Sequence, residues 1–192
     1  MAHPEDYYKH KIITIPNVLS FFRLCLIPLI IYQYVVCSNN AAALVLLVLS
    51  GLTDIADGII ARKLNMISDF GKAFDPVADK LTQIAILYCL VTHFPNMLLL
   101  LIVLIAKELF TGTTSLLLVR KGMVIGADWH GKAATVLLYA TMILHMAWYD
   151  IPAAASNIFI GSCLMLIVLS AVLYGIRNIG YLLKMKKTKA NV

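Results

Sequence analysis

Long apolar runs separated by short polar breaks dominate this 192-residue chain. Six runs can be read: about Val18–Val36, Ala41–Ile60, Phe70–Thr92, Asn96–Val119, Lys132–Trp148 and Ala154–Ile176. The breaks carry turn chemistry, at Ser38-Asn39-Asn40, Lys63 to Asp69, Phe94-Pro95-Asn96, Lys121 to His130 and Asp150-Ile151-Pro152. A helix needs roughly 20 residues to cross the hydrocarbon of a bilayer, and each run has about that length. Backbone polar groups cannot go unpaired in hydrocarbon, so a spanning segment is a helix or a strand of a closed barrel. These runs are too long and too uniformly apolar for barrel strands. The pattern predicts an all-α polytopic membrane protein: six transmembrane helices, an N-terminal interfacial segment over residues 1–14 and a basic cytoplasmic tail over 177–192. The whole of 1–192 then forms one membrane domain.

Composition agrees. Residues of the set AVILMFWYC make up 61% and charged residues 14%, against about 45–50% and 25% in soluble domains. A water-soluble enzyme, a disordered chain, a collagen-like chain and a disulfide scaffold are excluded. The net charge of +6 would suggest nucleic acid on a soluble protein. Here it sits at helix ends and orients the chain, so nucleic acid is not an expected partner. Lys9 and Lys11 precede the first run. Arg62, Lys63 and Lys72 lie between the second and third, and Arg120, Lys121 and Lys132 between the fourth and fifth. Arg177, Lys184, Lys186, Lys187 and Lys189 follow the sixth. The three other connections have no Lys or Arg. The positive-inside rule then puts both termini and the basic loops in the cytoplasm. The stretch Tyr7–Ser20 is expected along that interface, and the tail lysines on anionic lipid. The absence of a cleavable-signal pattern and the short chain suggest a bacterial inner membrane. Cys25, Cys37, Cys89 and Cys163 form no CxxC pair and read as small hydrophobes.

Acidic residues are scarce, yet four of the ten fall within 26 positions: Asp54, Asp57, Asp75 and Asp79. Asp54 and Asp57 are three apart and Asp75 and Asp79 four apart, so each pair shares a helix face. A short loop joins the two helices, which should therefore be antiparallel neighbours with the pairs facing each other. Carboxylates at membrane depth are costly and point to function. Four together need neutralising, and hard divalent cations with oxygen ligands, Mg²⁺ or Mn²⁺ and two of them, would do so. Gly58 and Ala61 lie on or beside the face of Asp54 and Asp57, and Gly71 lies four before Asp75. They leave room for a bulky ligand, and Arg62 could reach a phosphate. Together these residues describe a site for a nucleoside diphosphate ester. Packing glycines around a salt-bridged polar cluster is the plainer reading of any one of them, and is much weaker for the set.

Residues 54–79 match D-x2-D-G-x2-A-R-x8-G-x3-D-x3-D at all eight fixed positions. The chain thereby resembles the class I CDP-alcohol phosphotransferases. The likeness extends to the opening I-P-N-V-L-S-F-F-R (Ile15–Arg23) and to Gly131-Lys132. It implies a metal-dependent enzyme of phospholipid biosynthesis that transfers a phosphatidyl group from CDP-diacylglycerol to an alcohol, releasing CMP. It implies that Asp54, Asp57, Asp75 and Asp79 ligate metal and that Asp79 is also the general base. Gly58, Ala61 and Gly71 would make room for cytidine, with Arg62 on the diphosphate. It implies a homodimer among membrane lipids.

Within the family, the opening and Phe74–Lys80 are most similar to bacterial phosphatidylglycerophosphate synthases and cardiolipin-synthase-like members. The expected acceptor is glycerol 3-phosphate, with phosphatidylglycerol as the alternative. Two departures favour the alternative: Ser115 stands where a second Arg is expected, and Ala134 stands in place of Lys. Both remove a cation that would suit a phosphate monoester. Arg23, Lys107 and Lys132 are candidates for acceptor or lipid phosphate. His93, His130 and His145 are given no catalytic role. From a different class, a cation transporter could use the acidic cluster as its ion site, but the uncharged external loops and the lack of an inverted repeat argue against it.

Overall fold

The computed structural model describes residues 14–63, 69–120 and 129–190, without the side chains of Arg62, Asp69, Phe70, Lys72, Ala73, Arg120 and 182–190. Apart from Thr14, the expected interfacial segment lies outside the described residues. So do most of the two basic loops and the side chains of the tail lysines.

Every regular element among the described residues is helical: α1 (Ile15–Ile31, running on through a π-helical turn Tyr32–Val36), α2 (Asn40–Lys63), α3 (Asp69–Val91), α4 (Met97–Arg120), α5 (Trp129–Ala147) and α6 (Ala153–Ala190). Four are long and apolar enough to cross a membrane, at Ile15–Val36, Asn40–Ala61, Met97–Val119 and Ala153–Tyr181. The other two are more polar at their starts. The first turns of α3 carry Asp69, Lys72, Asp75, Asp79 and Lys80, and α5 opens on Trp129-His130-Gly131-Lys132.

Local chemistry sets the ends. Thr14 caps α1, its Oγ1 accepting from Asn17 N at 3.4 Å, with Pro16 in the first turn, where a missing N–H costs nothing. Residues 15–20, expected to lie along the interface, are thus the first turns of α1. Pro28 sits inside α1, where its missing N–H removes one helical hydrogen bond. The π-helical turn follows one turn later. Ser38 takes a left-handed φ of 51°, and Asn39 Oδ1 accepts from Ala42 N at 3.0 Å to start α2. α6 runs past the expected end at Ile176 to Ala190. Its tail is rich in good helix formers (Leu, Lys, Met), and no proline stops it.

The chain divides into two compact units. The first holds α1–α3 and residues 143–149; the second holds α4, residues 129–142 of α5, and α6. In the first, α1 packs against both α2 and α3. Its buried line is Asn17, Ser20, Arg23, Leu26, Ile30 and Tyr34. In the second, α4 packs on α6. The buried line of α6 is Ser156, Ile160, Cys163, Ile167 and Ser170, a spacing of three and four, and Asn178 is buried two turns further on. The opposite face of α6 exposes Ile158, Met165 and Val172, seven apart, as lipid contact requires.

Candidate active site

Asn17, Ser20 and Arg23 are three residues apart and share one face of α1. All three are buried, Ser20 at 0% and Arg23 at 1% exposed. Polar groups so deeply buried must find partners, and those of Ser20 and Arg23 are the acidic residues of α2 and α3. Ser20 Oγ lies 2.6 Å from Asp75 Oδ1, 3.3 Å from Asp57 Oδ2 and 3.1 Å from Pro16 O. A hydroxyl has one proton, and the short charge-assisted contact to Asp75 takes it. Arg23 Nη2 donates to Asp57 Oδ2 at 2.6 Å, while Nη1 stands 2.5 Å from Asp54 Oδ1. The Nη1 contact is a short ion pair, and Nε of Arg23 makes no hydrogen bond.

A continuous chain results: Asp54, Arg23, Asp57, Ser20, Asp75. Asp79 lies one helical turn beyond Asp75. It accepts from Gln83 Nε2 at 2.8 Å and has Lys80 Nζ 3.7 Å away. Asp54 is within electrostatic reach of Asp75 and Asp79, and Asp57 of Asp54 and Asp75. The four carboxylates therefore share one field, as the sequence predicts. The route differs from the expected face-to-face packing of α2 on α3. α1 packs on both, and its Ser20 and Arg23 join the acidic pairs. Access differs along the cluster: the Asp54 side chain is 49% exposed, that of Asp79 23% and that of Asp57 6%.

The other candidates separate into three groups. Gly58 and Ala61 are half-buried on α2, and Gly71 is buried in the first turn of α3. The Arg62 side chain lies outside the described residues. Lys107 and Lys132 belong to the second unit. There Lys107 Nζ is buried and pairs with Glu108 Oε1 at 2.7 Å, and Lys132 is exposed. Arg23, expected at lipid phosphate, is buried on carboxylates.

The donor set fits a hard divalent cation in its chemistry: four carboxylates and a hydroxyl, all oxygen. Among the described residues, no three acidic, His or Cys side chains close around a common point. The Arg23 guanidinium stands between Asp54 and Asp57 and supplies their positive charge.

The model of the CDP-alcohol phosphatidyltransferase family matches residues 13–174, which include α1, the acidic cluster and most of α6. The chain belongs to that family. Among its relatives, a Mycobacterium tuberculosis protein named "Putative cardiolipin synthase" is 36% identical over 129 residues, 66% of this chain and 61% of that protein. A Streptomyces coelicolor cardiolipin synthase (CMP-forming) is 36% identical over 147 residues, 70% of this chain and 66% of that protein. A Rickettsia felis CDP-diacylglycerol--glycerol-3-phosphate 3-phosphatidyltransferase is 46% identical over 70 residues, 35% of this chain and 39% of that protein. The chain thus spans about three fifths of the length of the first of these relatives.

Two features of the structure escape a reading of the sequence. Ser20 appears there only as one letter of the opening Ile15–Arg23. The role of Gly131 was hidden altogether. A Cβ at Gly131 would stand 2.5 Å from the Tyr174 hydroxyl. The Tyr174 ring is held there by His130, edge-on at 4.8 Å, and by the Arg177 guanidinium above it at 4.8 Å. His130 Nδ1 is also 3.3 Å from Ser170 Oγ, which gives this buried histidine a packing role.

Proposed function

We propose that this protein transfers a phosphatidyl group from CDP-diacylglycerol to an alcohol, releasing CMP, at the Asp54–Asp57–Asp75–Asp79 cluster. The observation that carries the reading is that α1–α3 join all four signature carboxylates in one field with an open edge at Asp54. Asp54, Asp57, Asp75 and Asp79 would hold Mg²⁺ or Mn²⁺, two ions by the donor count. When bound, the ions polarise the phosphoryl oxygens and neutralise the CMP leaving group. The chain itself supplies position and a base. Gln83 holds the Asp79 carboxylate in one orientation on α3. Asp79 takes the proton from the acceptor hydroxyl as its oxygen bonds to the phosphorus and the bond to CMP breaks. Gly58, Ala61 and Gly71 leave room for the nucleotide, and Arg62 supports its diphosphate.

Phosphatidylglycerol, a phosphodiester, is the acceptor this chain suits. Its longer alignments are to proteins named as cardiolipin synthases. Ala134 is buried at 2% exposure, which favours an apolar side chain over a phosphate-binding lysine there. Glycerol 3-phosphate is the second reading, favoured by the 46% identity of the shorter Rickettsia alignment. All six helices would span a bacterial cytoplasmic membrane, with both termini and the acidic cluster on the cytoplasmic side, and the protein would pair as a homodimer. The test is CMP release by the purified full chain in detergent with Mg²⁺ and CDP-diacylglycerol. Release with phosphatidylglycerol alone supports the first reading, and release with glycerol 3-phosphate alone the second. Release with neither overturns both.

A further inference from the structure

We propose that Arg23 competes with the divalent cation for Asp54 and Asp57, and so sets how tightly the cation binds. The inference rests on the reading of the acidic cluster as a cation site.

Three observations carry it. The guanidinium is at the right atoms: Nη2 is 2.6 Å from Asp57 Oδ2 and Nη1 2.5 Å from Asp54 Oδ1. A cation held by the same oxygens would put two positive centres a few ångströms apart behind a side chain that is 1% exposed. Solvent screens such a pair poorly, so one must give way. Second, the guanidinium is incompletely bonded, because Nε makes no hydrogen bond. A buried arginine serving only as a structural pin normally has its donors satisfied, and orphaned donors are costly. Arg23 is held here by charge, and charge is what a cation replaces. Third, the two carboxylates differ in access. Asp54 is half-exposed and Asp57 almost closed. A cation arriving from outside meets Asp54 first and loosens the Nη1 ion pair before the hydrogen bond of Nη2 to Asp57.

Arg23 is therefore a positioning residue with two effects. It keeps Asp54 and Asp57, three residues apart on α2, from repelling each other when no cation is bound. It also lowers the affinity of the cation that displaces it. Removing its charge weakens the cation-free protein and strengthens cation binding. A purely structural arginine would do only the first.

The experiment uses the full chain in detergent, Mn²⁺ as probe, and two readouts that do not depend on turnover. These are the Mn²⁺ dissociation constant from electron paramagnetic resonance and the melting temperature in EDTA and in Mn²⁺. For Arg23→Gln the expected result is Mn²⁺ binding about tenfold tighter than wild type, equivalent to about 1.4 kcal/mol. Its melting temperature falls in EDTA, and its gain on adding Mn²⁺ exceeds that of wild type. Equal or weaker Mn²⁺ binding by Arg23→Gln, with binding by wild type intact, overturns the competition and leaves the cation reading standing. No Mn²⁺ binding by wild type overturns both. If Arg23→Gln does not fold, Arg23→Lys decides. Lysine keeps the charge but cannot fork onto both carboxylates, so Mn²⁺ binding tighter than wild type supports the proposal and equal or weaker binding overturns it.

Discussion

Ser20→Ala isolates the bond that ties α1 to Asp75. The substitution removes one oxygen from a fully buried position and leaves no clash. What is lost is the 2.6 Å donation to Asp75 Oδ1. A hydrogen bond to a charged group contributes about 1.5–3 kcal/mol. Alanine recovers part of this, because it is a better helix former than serine by about 0.5 kcal/mol. Asp57 keeps its bond to Arg23, so the 3.3 Å contact adds little. The net loss is about 1–2.5 kcal/mol. In a chain of this size each kcal/mol shifts the midpoint by about 2–4 °C, so the melting temperature should fall by about 2–10 °C. The assay is thermal unfolding in detergent with a thiol-reactive dye, since Cys89 and Cys163 are both buried and react on unfolding. Ser162→Ala is the control. That hydroxyl is exposed and bonds only its own helix, at Phe159 O, so the expected change lies within about 0.5 kcal/mol. A melting temperature for Ser20→Ala that matches the control would refute the claim that Ser20 holds the acidic helices together.

Three further outcomes are expected. Asp79→Asn abolishes CMP release, while its melting temperature stays near that of wild type because the amide oxygen still accepts from Gln83; retained turnover would remove Asp79 as the base. Gly131→Ala pushes Tyr174 out of its contacts with His130 and Arg177 and destabilises by about 1–3 kcal/mol, read as a lowered melting temperature. The double variant Gly131→Ala/Tyr174→Ala should then show a smaller effect of the glycine change than the single variant does. Cys37, exposed in the turn after α1, reacts with an impermeant maleimide added outside spheroplasts; protection there, with reaction only after lysis, would invert the proposed orientation.

The apolar runs and their polar breaks suffice to predict six helices, because a 20-residue uncharged run has few other ways to satisfy its backbone. The eight-residue signature likewise names the family before any coordinates, since its carboxylates and small residues recur at helical spacing. Two limits of pattern reading show at particular residues. Pattern alone extends the sixth run only to Ile176, because the lysines after it read as a tail; the backbone remains helical to Ala190, since a change from apolar to basic side chains does not break backbone hydrogen bonds. Pattern also treats α2 and α3 as direct neighbours because a short loop joins them.

Sequence by itself therefore determined the helices, the membrane setting, the family and the identity of the four carboxylates, all of which depend on residue type and local spacing. Tertiary structure decided that α1 joins the two acidic helices. It decided too that Ser20 and Arg23, 55 and 31 residues ahead of Asp75 and Asp54, supply the proton and the positive charge. Those choices depend on which helix faces pack together, and packing follows side-chain shape and burial across distant parts of the chain, which no spacing along one segment encodes.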